Sequence, residues 1–301
     1  MTLVVDRFLQ GLLIQPKNQR PRHANESFLM LLYRDVLRRS KFSAILEAKS
    51  LFKSFSVSVL TILSLWITIS PAHSLPRKTY FKSSGKSIAV DWFYPEKLAT
   101  LTRVDTKQST PIVIILHGAG GLGTDSGDGF FQQLAQELTR QGNSCAIVHY
   151  MDQTNMQAAD AVALAKHFGT WLKTVRDATS YILELPIADK NNVNILGHSL
   201  GAQLALHTAD GNPKLASVVD MAGSFVLPTG AIKAMPPILV LHGTKDTTVP
   251  LSRERQLINV LKRTNSNYEE HILSGVDHSF SGVSFDTLTT IINAFLIKHR
   301  R

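Results

Sequence analysis

Val193-Asn194-Ile195-Leu196-Gly197-His198-Ser199-Leu200-Gly201-Ala202-Gln203-Leu204-Ala205-Leu206-His207-Thr208-Ala209 joins two kinds of local structure. Its first four residues are a short apolar run of strand type. From Leu200 onward the chain is rich in Leu and Ala, which are strong helix formers. Between the two stands Gly197-His198-Ser199-Leu200-Gly201, a G-x-S-x-G pattern. Chance supplies such a pattern often, but not between a strand and a helix. In that setting the serine sits on a sharp, strained turn, and the flanking glycines carry no Cβ to clash with the neighbouring strand and helix. A helix beginning under the serine adds backbone N–H groups and the positive end of its dipole. Ser199 is therefore the candidate nucleophile.

Outward from this junction, strand-like and helix-like segments alternate from about residue 80 to the end. Strands are predicted over 87–93, 112–116, 144–149, 193–196, 216–221, 238–241 and 268–273. Helices are predicted over 129–141, 164–185, 200–209, 253–264 and 285–299. Continuous Val/Ile/Leu strands alternating with helices indicate an α/β fold, a mostly parallel central sheet with helices on both faces. Some 225 residues suffice for one such domain with little or no cap. Only residues 151–166 offer room for a lid, and they read equally well as a loop leading into a helix.

Three further motifs lie at strand ends. His117-Gly118-Ala119-Gly120-Gly121 follows the strand at 112–116. Such a glycine loop lets backbone approach a ligand closely, and the N–H groups of Ala119 and Leu200 are the candidate oxyanion donors. No G-x-x-x-x-G-K-[ST] follows, and a nucleotide cradle is not expected. His242-Gly243-Thr244-Lys245-Asp246 follows the strand at 238–241 and places a carboxylate just past its end, suited to orienting a histidine. Gly275-Val276-Asp277-His278 follows the strand at 268–273. His278 completes the chain order Ser, Asp, His that this kind of nucleophile turn requires, and histidine is the side chain suited to proton transfer near neutrality. Asp277 is a rival to Asp246, but neighbours along an extended chain rarely face one another. His117 and His198 lie before the serine in the chain and are poor candidates for the base.

Taken together, these motifs resemble the α/β-hydrolase superfamily and, within it, the dienelactone-hydrolase-like branch. The resemblance spans roughly residues 80–299, on HGAGG at 117–121, GHSLG at 197–201, HGTKDTTVP at 242–250 and DHSF at 277–280. It implies Ser199 as nucleophile, Asp246 as orienting acid, His278 as general base and acid, and the Ala119 and Leu200 N–H groups, in the loop of Gly118 and Gly120, as oxyanion donors. Dienelactone hydrolases proper carry cysteine where this chain has Ser199, which points from lactones toward ordinary esters. The expected reaction is hydrolysis of a small-molecule carboxylic ester, with lactone or thioester as variants, needing no cofactor and no metal. A peptidase, thioesterase or haloperoxidase of the same fold, or a non-catalytic binding protein at a membrane, are the alternatives.

The chain carries 32 Lys+Arg against 23 Asp+Glu, a net charge of +9. Residues 1–74 hold 10 and 4 of these (+6), and residues 75–301 hold 22 and 19 (+3). The charge belongs mainly to the N-terminal segment, so it makes no case for nucleic-acid binding. Residues 54–70 are apolar and free of charge, with Lys49 and Lys53 before them and Ala72 and Ser74 at the −3 and −1 positions of a cut before Leu75. This is the pattern of a secretory signal peptide. The expected division is a leader over 1–74 and a catalytic domain over 75–301, exported to the periplasm or beyond. An uncleaved anchor, or a start at Met30, are the alternatives, and the mass of the mature N-terminus separates them. Oligomeric state is not legible. The single cysteine, Cys145, lies in an apolar run and reads as a small buried hydrophobe.

Overall fold

The computed structural model describes residues 76–99, 109–123, 129–223 and 234–301. The apolar segment 54–70, the cleavage site and Met30 lie outside the described residues. Eight strands form one sheet: β1 (Arg77–Ser83), β2 (Lys86–Phe93), β3 (Thr110–Leu116), β4 (Ser144–Val148), β5 (Ala188–His198), β6 (Ser217–Met221), β7 (Ile238–Gly243) and β8 (Tyr268–Leu273). Their spatial order is β1-β2-β4-β3-β5-β6-β7-β8. The pairs β1/β2 and β2/β4 are antiparallel, and all pairs from β4 to β8 are parallel.

Five main helices follow the strands: α1 (Phe130–Arg140), α2 (Ala161–Leu183), α3 (Leu200–Ala209), α4 (Leu251–Arg263) and α5 (Phe285–Lys298). Side chains alternate across each strand, so one set of residues feeds each face. Ile112, Ile114, Val193, Ile195, Val218 and Val240 pack with Trp171 and Val175 of α2, Leu204 of α3 and Leu257 of α4. Val113, Ile115, Leu196, Val219, Leu239 and Leu241 pack with Leu134 and Leu138 of α1 and Ile292 and Phe295 of α5. A sheet buried on both faces is what the unbroken apolar strands require. Cys145 belongs to this core, and burial pushes its thiol up to about 12, so it is an inert packing residue.

Strand β1 is absent from the sequence reading. Of its residues Arg77-Lys78-Thr79-Tyr80-Phe81-Lys82-Ser83 three are charged, and only Phe81 and Ser83 are buried. It forms an edge strand, where charge hinders edge-to-edge association. A two-residue turn, Ser84-Gly85, joins it to β2 with φ of 45° and 83°, the left-handed backbone that tight hairpins use. Residues 151–166 lead into a helix. They form a 3-10 helix (Tyr150–Thr154), a loop and the start of α2, with Met151 and Tyr150 buried.

Candidate active site

All the candidate groups stand at the carboxyl ends of parallel strands, where open α/β sheets place their ligand crevice. Ser199 links β5 to α3 with φ 54° and ψ −115°, a region that costs a non-glycine residue free energy and recurs at functional sites. Surrounding packing enforces it. A Cβ on Gly197 would lie 2.1 Å from the Gly201 carbonyl oxygen, and one on Gly201 would lie 2.3 Å from the Leu116 carbonyl oxygen. Both glycines are therefore needed for α3 to start hard against β5 and β3. The Ser199 N–H is tied to the Met221 carbonyl at 2.9 Å, which leaves the side chain at the crest of the turn, partly exposed.

His278 Nε2 lies 3.0 Å from Ser199 Oγ, and His278 Nδ1 lies 2.8 Å from Asp246 Oδ2. The Asp246 side chain has no solvent exposure, and that of His278 has 14%. A buried carboxylate needs donors. Asp246 Oδ1 accepts the backbone N–H groups of Thr248 and Val249 at 2.9 and 2.8 Å. With Oδ2 accepting from Nδ1–H, the proton of neutral His278 sits on Nδ1, and Nε2 is left to accept from the Ser199 hydroxyl. The arrangement can remove a proton from a serine and hold the imidazolium that results. Ser199, Asp246 and His278, three residues far apart in sequence, thus meet as the motifs predict.

Asp277 does not compete. Its Oδ1 accepts from the N–H and hydroxyl of Ser279 and from the Ser281 N–H, so it shapes the loop that carries His278. The loop is tight enough to hold buried Phe280 at φ 60°. Sequence reasoning missed the part His198 plays here. Its Nε2 lies 2.7 Å from the His278 carbonyl oxygen, an acceptor only, so Nε2–H donates and pins that loop. Position next to the serine is visible in the sequence; contact with a loop 80 residues away is not.

The glycine loop after β3 is held from below. Tyr150 donates its hydroxyl to the His117 carbonyl at 2.8 Å, Gly121 N–H bonds the Gly118 carbonyl at 3.1 Å, and Ala159 N–H bonds the Ala119 carbonyl at 2.8 Å. A Cβ on Gly121 would lie 2.0 Å from the Gln157 carbonyl oxygen, and its φ is 80°. The segment before α2 therefore clamps this loop. Gly118, Gly120 and Gly123 do have the spacing of a G-x-G-x-x-G fingerprint, but they form a turn and do not open a helix, as a dinucleotide site requires. Leu200 is the first residue of α3, so its N–H is one of those that a helix leaves without an internal partner. Among the described residues, no three His, Cys, Asp or Glu side chains group as metal ligands.

Behind Asp246 lies a buried polar group that the sequence does not reveal: Asp220 at the end of β6, His242 of β7 and Glu254 of α4, all without solvent exposure. Burial, reinforced by the negative charge of Glu254, pushes the Asp220 carboxyl up to about 8. The folded state thus holds this proton more tightly than the unfolded chain, where the carboxyl titrates near 3.8. Its contribution to stability is whole below about pH 4 and is lost as pH rises toward 8, at up to about 1.4 kcal/mol per pH unit. Asp220→Asn keeps the acceptor for the Gly223 N–H, 2.8 Å from Oδ1, and removes the ionisation. We expect the fall in Tm between pH 5 and 8 to be shallower in this variant; parallel Tm curves would count against a buried neutral Asp220.

Solved structures share this fold at low identity. One of a putative dienelactone hydrolase from Klebsiella pneumoniae subsp. pneumoniae MGH 78578 is 18% identical, with a TM-score of 0.58 over 74% of this chain and 98% of that one. One of a dienelactone hydrolase from Anabaena variabilis ATCC 29413 is 15% identical, with a TM-score of 0.56 over 75% of this chain and 100% of that one. A dipeptidyl peptidase 4 from Porphyromonas gingivalis is 16% identical, with a TM-score of 0.57 over 74% of this chain and 35% of that one. Residues 98–286 match the model of the dienelactone hydrolase family; with the sheet order and the strand-end loops just described, the chain is a member of that family of α/β-fold hydrolases.

Proposed function

We propose that the chain is a serine hydrolase that cleaves a carboxylic ester through an acyl-enzyme. The observation that carries the reading is the unbroken line of hydrogen bonds from Ser199 Oγ to His278 to Asp246, at 3.0 and 2.8 Å, on a strand–turn–helix junction. In the first half-reaction Ser199 Oγ attacks the substrate carbonyl carbon as its proton passes to His278 Nε2. Collapse of the tetrahedral intermediate breaks the bond to the leaving alcohol, which takes that proton. In the second half-reaction water loses a proton to Nε2 and attacks the acyl carbon; the acid departs and the proton returns to Oγ. The N–H groups of Leu200 and Ala119 are placed by this reading at the developing oxyanion, where one such donor is worth roughly 10²–10³ in turnover.

Dienelactone hydrolases proper carry cysteine where this chain has Ser199, and this departure supports an ordinary ester over a lactone as substrate. The test is steady-state hydrolysis of p-nitrophenyl acetate and butyrate beside a dipeptide p-nitroanilide. Turnover of the esters is expected, with the anilide slower by at least about 10²-fold, since an amide carbonyl is less electrophilic and an aniline is a poorer leaving group than a phenolate. An anilide rate equal to the ester rate would replace the ester reading with a peptidase. Inertness toward both substrate types would overturn a hydrolytic role for this site.

A further inference from the structure

The proposed mechanism uses Asp246 but not the histidine four residues before it. His242 Nδ1 lies 3.0 Å from Glu254 Oε2, and its Nε2 lies 2.8 Å from the Val249 carbonyl oxygen and 3.3 Å from Asp246 Oδ2. None of the three side chains is exposed to solvent. A carbonyl oxygen only accepts, so His242 Nε2 carries a hydrogen. That nitrogen, its hydrogen directed to Val249, also stands at ion-pair distance from the carboxylate oxygen to which His278 donates. Asp246 therefore meets three donors, Thr248 and Val249 at Oδ1 and His278 at Oδ2, with the His242 ring as a charge partner beside Oδ2. Glu254 lies in the first turn of α4, and it braces the imidazole from the far side.

We propose that His242, braced by Glu254, is a positioning residue for the triad: as an imidazolium it supplies Asp246 with a counter-charge beside Oδ2, and so fixes the carboxylate in its aim at His278. This rests on the reading of Ser199, His278 and Asp246 as the catalytic set. The charge count supports it. The Asp246 and Glu254 carboxyls flank the His242 ring in one dry region, and although burial pushes Glu254 up, its hydrogen bond to His242 and the charge of that ring pull it partly back down. Burial alone would pull the His242 ring down, but its bonds to Glu254 and Val249, with the charges of Glu254 and Asp246, outweigh this and hold it above its ordinary value. The other groups facing the cluster are Asp220 from β6 and Glu270 from β8. Around His278 itself stand Asp246, Ser199 and the His198 ring, whose centroid is 4.9 Å away; Asp277 precedes it in the chain.

Four readouts, three on p-nitrophenyl acetate and one on the wild-type protein, decide the matter. His242→Ala is expected to lower kcat by roughly 10²-fold with KM nearly unchanged, because it removes aim rather than a substrate contact. His242→Gln, whose amide N–H can replace Nε2–H toward Val249 and keep the loop in place, is expected to recover kcat to within about 10-fold of wild type. Its low-pH limb of kcat/KM should move to higher pH, because the positive charge that shares Asp246 with His278 is gone. A kcat for His242→Ala within twofold of wild type, or a limb for His242→Gln at the wild-type pH, would overturn the proposal. A readout that needs no variant to fold is the ¹⁵N spectrum of wild-type histidines: His242 should hold both ring protons at pH 7, and a single protonated nitrogen would overturn the counter-charge. Ser199→Ala introduced into each background keeps the two readings apart. Activity that persists without Ser199 defeats the serine hydrolase itself, whereas Ser199-dependent activity with an unmoved limb defeats only His242.

Discussion

Ser199→Ala lowers kcat on p-nitrophenyl esters by roughly 10⁶-fold while leaving Tm within about 2 °C of wild type. The size of the loss follows from what the hydroxyl does. Without Oγ there is no atom to form the acyl-enzyme, and His278 has no proton to accept, so the carboxylate behind it has nothing to orient. What remains is water attacking a bound ester under whatever donors surround the carbonyl. The fold should not notice. Ser199 sits at φ 54°, and an alanine there carries the same Cβ and meets the same strain. The turn is enforced by the Gly197–Gly201 and Gly201–Leu116 approaches and by the Ser199 N–H bond to Met221, none of which involves the hydroxyl. Steady-state rates paired with thermal melts check both halves.

Asp246→Asn is the second large effect, a loss of roughly 10⁴-fold in kcat. The new Oδ1 can still accept from Thr248 and Val249, now 2.9 and 2.8 Å from the carboxylate oxygen, so the loop keeps its shape. The amide group then falls opposite His278 Nδ1, 2.8 Å away, and two donors cannot face each other there. His278 settles with its proton on Nε2, pointing at Ser199, and can no longer take one from it. His242 Nε2, 3.3 Å from the same position, loses the carboxylate charge beside it. The loss should therefore lie in kcat with KM little altered and the secondary structure intact by circular dichroism. An Asp246→Asn enzyme within tenfold of wild type would assign the orienting role elsewhere.

Much of the architecture is legible in the sequence because buried parallel strands must be apolar on both faces. Ile112, Val113, Ile114 and Ile115 announce β3 this way, and their alternate side chains feed the two cores. Strand β1 escapes the same reading. Its partners lie on one side only, its outer residues are solvated, and Arg77, Lys78 and Lys82 look like loop. Strand β5 starts five residues before its apolar portion, because Ala188 pairs with Thr110 and the polar residues 189–192 fill the register shift between that pair and the pair of Ile112 with Val193.

Chain order and strand ends suffice to single out Ser199, Asp246 and His278. The supporting set does not announce itself. His242 is bound to Glu254 on the following helix, His198 to a loop beyond β8, and Asp220 is held in a dry space under the site. Each is an ordinary residue type in an ordinary-looking strand, and its meaning comes from a neighbour distant in sequence or on another element. Asp277 shows the converse: beside His278 in the chain, it turns its carboxylate to Ser279 and Ser281.

The central claim is that Ser199 becomes covalently acylated, and a fluorophosphonate probe tests it most directly, since such probes phosphonylate an activated serine. Intact-mass analysis followed by peptide mapping should show one adduct per wild-type chain, on Ser199, with none on Ser199→Ala. Absence of an adduct on the folded wild-type protein, or an adduct that persists in Ser199→Ala, would contradict the account.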